Sequence, residues 1–190
     1  MGIVLAVKKK NEICIAADSM SISGGSRKLT SDHIINGEKI ISCGSSYIGI
    51  ADHPVWPLVM KSYFNQTKQI LDLESKEKIF EEWLQMHRSL KDKYFLSPSD
   101  DNEDAFESSR FESIIVNSSG IFKTYELRSI QKFIYFTAIG SGASYAFGAM
   151  HALYDRLDTA EEIAKTALNT VIEFDESSGY PVIFYKVKTK

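Results

Sequence analysis

The apolar residues of this chain change their spacing in blocks, and the order of those blocks limits the folds open to it. Nearly continuous apolar runs at 3–7 and 13–17 flank the polar segment 8–12. They read as a β-hairpin with both faces covered. Residues 19–30, with Gly24-Gly25 and several hydroxyls, read as a short strand and a loop, and 39–43 and 46–51 as a second hairpin turning at Gly44-Ser45. The spacing then becomes helical. Val55, Leu58, Val59, Tyr63 and Ile70 mark one helix face, with Pro54 and Pro57 in the first turn, where proline is tolerated. Ile79, Phe80, Trp83, Leu84, His87, Leu90 and Tyr94 mark a second helix over 76–95, with Ser75 as its N-cap. Strands return at 111–116 and 121–127 around Asn117-Ser118-Ser119-Gly120, and again at 133–139. Helices over 144–154 and about 159–174 follow, the second opened by the capping box Thr159-Ala160-Glu161-Glu162. A last strand covers 182–187.

Strands come in groups and helices in pairs, which argues α+β layering over a βαβ parallel sheet. Two strand groups and two helix pairs make two stacked, mainly antiparallel sheets with helices on both outer faces. The length of 190 residues suits one domain over 1–190. Within it, 97–109 is acidic and serine-rich and reads as a solvated or disordered loop. Its carboxylates lack the turn glycine of a calcium loop.

A formal net charge of −3 leaves no electrostatic footprint for nucleic acid or an anionic membrane surface. No apolar run is long enough to span a bilayer. The apolar amino end is too short for a secretory signal, and its lysines follow the apolar residues instead of preceding them. Cys14 and Cys43 lie in or beside apolar segments and read as buried free thiols, so a reducing, cytoplasmic setting is expected. His33, His53, His87 and His151 show no metal-ligand spacing, and there is no phosphate loop or dinucleotide fingerprint; no cofactor is expected. Trp56 and Trp83 fall on helix faces and read as core.

Four segments resemble the proteasome β-subunit family and its bacterial HslV-type relatives. They are Ile13-Cys14-Ile15-Ala16-Ala17-Asp18, Glu38-Lys39-Ile40-Ile41, the run from Ile139-Gly140-Ser141-Gly142 to Met150, and Asp175-Glu176-Ser177-Ser178-Gly179. The third is the most specific, because a glycine-serine-glycine joint runs straight into a helix of small residues. The likeness covers most of the chain, with 97–109 as an insertion. It implies the αββα sandwich of N-terminal-nucleophile (Ntn) hydrolases, assembly into homo-oligomeric rings, and an unfolding ATPase or related subunit as a further partner. Small residues over 143–149 suit close helix packing in such an assembly.

The resemblance also implies a mechanism. The first residue's hydroxyl or thiol attacks a peptide carbonyl, and its own α-amine, with an ordinary pKa of about 7.7–8.0, takes the proton. By position Lys39 matches the lysine that lowers the amine's pKa, and Asp18 the carboxylate that pairs with it. Ser141, Asp175 and Ser178 match the groups around the amine. Gly49 is the candidate oxyanion donor, in a segment about one residue shorter than the family's. Aligning Ile3-Val4 with the family's first strand puts Met1 at the nucleophile position, with Gly2 there if the methionine is removed. Neither offers a hydroxyl or thiol; no Ser, Thr or Cys precedes Cys14, and no propeptide is expected ahead of Met1.

The Lys39–Asp18 pair has two readings of equal weight, a buried structural ion pair or the remnant of an active site. Ser141 and Ser178 read as turn-capping hydroxyls in an inactive domain. Asp175 follows a helix C-terminus, where an anion is disfavoured, and so requires a specific partner. Three functions fit: a proteasome-like subunit without threonine peptidase activity, an active N-terminal-nucleophile peptidase, or a binding module for a small molecule or peptide on the same fold.

Overall fold

The computed structural model describes residues 2–23, 27–30, 34, 38–67, 71–97 and 105–190. Its first sheet has the order β10–β1–β2–β11, built from β1 (Ile3–Lys9), β2 (Glu12–Asp18), β10 (Phe136–Gly140) and β11 (Val182–Lys188). The second has the order β5–β6–β7–β8–β9, from β5 (Ile40–Cys43), β6 (Ser46–Gly49), β7 (Ser113–Asn117), β8 (Gly120–Thr124) and β9 (Ile130–Phe133). Pairing in both sheets is antiparallel. A small hairpin of β3 (Ser21–Ser23) and β4 (Arg27–Leu29) stands apart, so 19–30 holds two strands where the sequence suggests one.

The pleat explains why β1 is apolar at successive positions. Ile3, Leu5 and Val7 pack against α3 (Ala143–Leu153) and α4 (Ala160–Phe174), while Val4 and Ala6 meet the second sheet through Ile114, Val116 and Ile121. On the far side, Ile41, Ile48, Ile115 and Phe122 pack against α1 (Val55–Thr67) and α2 (Lys76–Tyr94). Three apolar layers therefore separate four layers of structure, the αββα sandwich.

The expected caps form. Ser75 Oγ accepts from the Lys78 N–H at 3.3 Å, and Thr159 Oγ1 accepts from the Glu162 N–H at 3.1 Å. Three expectations need correction. On α1 the buried face is Trp56, Met60 and Tyr63, whereas Val55 and Leu58 are exposed. Two apolar stripes overlap on this helix, and docking onto the second sheet selects one of them; Ile70 lies outside the described residues. The run 133–139 is not one strand. It breaks at Ile134-Tyr135, where the chain leaves the edge of the second sheet and enters the first. Finally, the carboxyl end of the acidic loop is packed. Ser108 and Ser109 are buried, Ser109 Oγ lies 2.9 Å from His87 Nδ1, and Glu107 pairs with Lys91 at 2.7 Å. Residues 98–104 lie outside the description.

Candidate active site at the amino end

β1 and β2 pair with Val4 opposite Ala17, which brings Asp18 beside the start of β1. Asp18 is fully buried. Its Oδ1 accepts from the Ile3 N–H at 2.9 Å and from Lys39 Nζ at 2.5 Å; its Oδ2 accepts from the N–H groups of Met20 at 3.1 Å and Gly179 at 3.2 Å. Three backbone donors and one ammonium thus compensate the buried charge. Lys39, just before β5, also donates to the Met20 carbonyl at 2.9 Å. Burial pulls the Lys39 ammonium below its ordinary pKa, while Asp18 and, more weakly, Asp175 favour the charged form.

Asp175 caps the end of α4. Its carboxylate has the partners its position demands: Oδ2 accepts from Ser178 Oγ at 2.6 Å and Ser141 Oγ at 2.9 Å, and Oδ1 from the Ser177 N–H at 3.4 Å. Ser141 Oγ also lies 3.3 Å from the Gly2 carbonyl oxygen. Ser178 is buried, with its hydroxyl committed to Asp175. Gly2, Asp18, Lys39, Ser141, Asp175 and Ser178 therefore form one neighbourhood from five separate stretches of chain.

Gly2 occupies the decisive position. A Cβ built there would come 2.2 Å from Lys39 Nζ and 2.5 Å from Asp18 Oδ1. Of the two residues that the sequence offers for the nucleophile position, Met1 and Gly2, it is Gly2 whose place against the lysine is described. Met1 lies outside the described residues. With no side chain at Gly2, the Lys39 ammonium fills the space that a nucleophile's Cβ would take.

Gly49 does not join this neighbourhood. Its Cα faces the inter-sheet core, where an added Cβ would meet Val4 Cγ1 at 2.4 Å and Ile15 Cδ1 at 3.2 Å. The Ile50 N–H goes to the Lys39 carbonyl, on the β5 side. Alternation along an antiparallel strand then directs the Gly49 N–H the other way, to Ile114 of β7. Its N–H belongs to a ladder, so Gly49 is not a free oxyanion donor; it lets β1 pack closely on β6.

Two residues given no role from sequence belong here. Gly179 donates its N–H to Asp18. Gly140 has φ +107°, and an added Cβ would fall 2.0 Å from the Gly2 carbonyl oxygen, so only glycine admits the amino end at this distance. The glycines themselves were the available signal. The cluster offers a cation, two carboxylates and two hydroxyls, but no hydroxyl or thiol on the residue facing Lys39. No cluster of three or more metal-ligating side chains occurs among the described residues, and none of their helices is long and apolar enough to cross a membrane.

No protein-family model and no curated protein matches the sequence. Among solved structures, the chain is similar to Thiobacillus denitrificans BPH, with 37% identity over 99% of this chain and 98% of that one and a TM-score of 0.91. The same protein in complex with epoxomicin matches at 35% identity over 99% of both chains, again with a TM-score of 0.91. Eukaryotic HslV from Trypanosoma brucei superposes with a TM-score of 0.72 and 17% identity, over 98% of this chain and 99% of that one. At that identity the likeness speaks to fold alone.

Proposed function

Because this chain belongs to the proteasome β-subunit and HslV-like family, we propose that it is a member without threonine-type peptidase activity, serving as a structural or regulatory component of a ring-like assembly. One observation carries the reading. The residue facing the Lys39–Asp18 pair is Gly2, and the lysine ammonium stands where a nucleophilic side chain would begin. Acyl transfer needs an electron pair on a hydroxyl or thiolate at that point, and glycine has none. The remaining polar groups act as structure: Asp18 ties β1, β2 and the 175–179 loop together, and Asp175 ties α4 to Ser141. We read 1–190 as one such domain, with 97–109 as an insertion, in the cytoplasm. Copies of itself and an unfolding ATPase or related subunit are its partners.

The completeness of the surrounding network favours a second reading, an active peptidase whose mature chain starts on a different residue. Asp18, Lys39, Ser141, Asp175 and Ser178 are all present, with Lys39 bonded to Asp18 and both serines bonded to Asp175. One experiment separates the two. The assembled protein is purified from its native source, its amino-terminal peptide is sequenced, and it is incubated with fluorogenic peptides and with epoxomicin. The expected result is no hydrolysis, an unchanged intact mass and a particle larger than the 21.4 kDa chain. Hydrolysis that disappears on Lys39→Ala, or a chain beginning on Ser, Thr or Cys with activity, replaces the first reading by the second.

A further inference from the structure

A separate concave surface lies on α2 and shares no residue with the amino-end network. It is a groove of about 980 Å³ between α2 and the turn joining β8 to β9, at the upper end of the roughly 300–1,000 Å³ typical of small-molecule sites. Phe80 and Leu84, one helical turn apart, line one wall, and Phe106, Leu127 and Ile130 line the other. Phe80, Phe106 and Leu127 are exposed, which is unusual for large apolar side chains brought together on one surface.

Arg128 lines the same groove, although only 6% of its surface is exposed. Its Nη1 donates to the Glu107 carbonyl oxygen at 2.7 Å and to Ser109 Oγ at 3.0 Å, and Ser109 is itself held by His87 Nδ1 at 2.9 Å. That network locks one edge of the guanidinium. A guanidinium carries five N–H donors, and no carboxylate lies within ion-pair distance of this one among the described residues. The nearby Glu107 carboxylate is engaged by Lys91 and His87 instead. Burial pulls Arg128 below its ordinary pKa, while the charge of Glu107, which makes no direct ion pair with it, favours the charged form. At the mouth, Lys76, Glu77 and Glu81 line the groove together with Lys78, which pairs with Asp72 at 2.5 Å, so the cation set into the groove wall itself is Arg128.

We propose that this groove binds a small amphipathic carboxylate. Its apolar chain or ring rests on Phe80, Leu84, Phe106, Leu127 and Ile130, and its carboxylate takes the free edge of Arg128. A planar fork with one edge fixed favours a carboxylate over a neutral polar group through paired, charge-assisted hydrogen bonds. Glu107, Ser109 and His87 act as positioning residues for the arginine.

The test is calorimetric titration of the whole protein with two acids, octanoate and acetyl-Leu-Phe, each against its amide. The acids separate a fatty-acid-like ligand from a peptide carboxyl terminus. At least one acid is expected to bind about ten-fold or more tightly than its amide. Arg128→Gln is expected to abolish that preference, and Phe80→Asp, at an exposed position, to weaken acid and amide together while leaving the melting temperature unchanged. If neither acid binds at millimolar concentration, if acid and amide bind alike, or if Phe80→Asp leaves binding intact, the proposal is overturned. Should Arg128→Gln fail to fold, the acid–amide comparison and Phe80→Asp still decide. None of these outcomes bears on the peptidase question.

Discussion

The Asp18–Lys39 pair should respond asymmetrically to loss of its two members. Asp18→Asn removes the charge that holds a buried ammonium and disturbs three backbone N–H bonds, from Ile3, Met20 and Gly179. Breaking a buried pair so that a charge is left uncompensated costs about 3–5 kcal/mol. Lys39→Met removes the charge-assisted bond to Asp18 and a second bond, to the Met20 carbonyl, but leaves the carboxylate with its three backbone donors. The bond to the carboxylate is worth about 1.5–3 kcal/mol and the one to the neutral carbonyl about 1 kcal/mol. The two groups are in direct contact, so the double variant should cost less than the sum of the singles. For a chain of this size each kcal/mol moves the melting temperature by about 2–4 °C, so Asp18→Asn should melt about 6–20 °C lower. Thermal unfolding followed by circular dichroism, at one fixed protomer concentration, reads all three variants. If Lys39→Met costs as much as Asp18→Asn, or if the singles simply add, the backbone donors do not carry the carboxylate and the reasoning fails.

Two further outcomes follow from named contacts. Gly140→Ala forces a Cβ to within 2.0 Å of the Gly2 carbonyl oxygen at φ +107°, and should destabilise by about 2 kcal/mol or more through overpacking and strain; Gly148→Ala on α3, with nothing within 4 Å of its added Cβ, should stabilise by up to about 1 kcal/mol. Equal melting temperatures for the two variants would contradict the close approach at Gly140. Glu161 is bonded to Lys165 and Lys186, which pull its carboxyl from the ordinary 4.5 to about 2. A folded-state pKa below the unfolded one contributes stability that is complete above pH 4.5 and lost as pH falls towards 2. Melting temperature against pH for Glu161→Gln and the wild-type chain should therefore show a gap near neutrality that closes over that window.

Much of this protein is decided by neighbours within four residues, and those parts are legible in the sequence. Ser75 and Thr159 cap their helices because a hydroxyl reaches the N–H three residues on, and 3–7 and 13–17 pair because a short polar turn separates two apolar runs. The glycine-serine-glycine joint and the Asp175–Gly179 segment likewise pointed to the amino-end cluster. Other features depend on partners distant in the chain. Which apolar stripe of α1 is buried was decided by the sheet it docks on, and the break at Ile134-Tyr135 by the need to pass from one sheet to the other. The packing of Glu107, Ser108 and Ser109 required α2 and Arg128 beside them. Ladder alternation committed the Gly49 N–H to Ile114, and the approach of Lys39 to the amino end set its ammonium against Gly2. Local spacing determines which elements form; only the assembled sheets determine which side chain faces which, because those contacts join residues far apart along the chain.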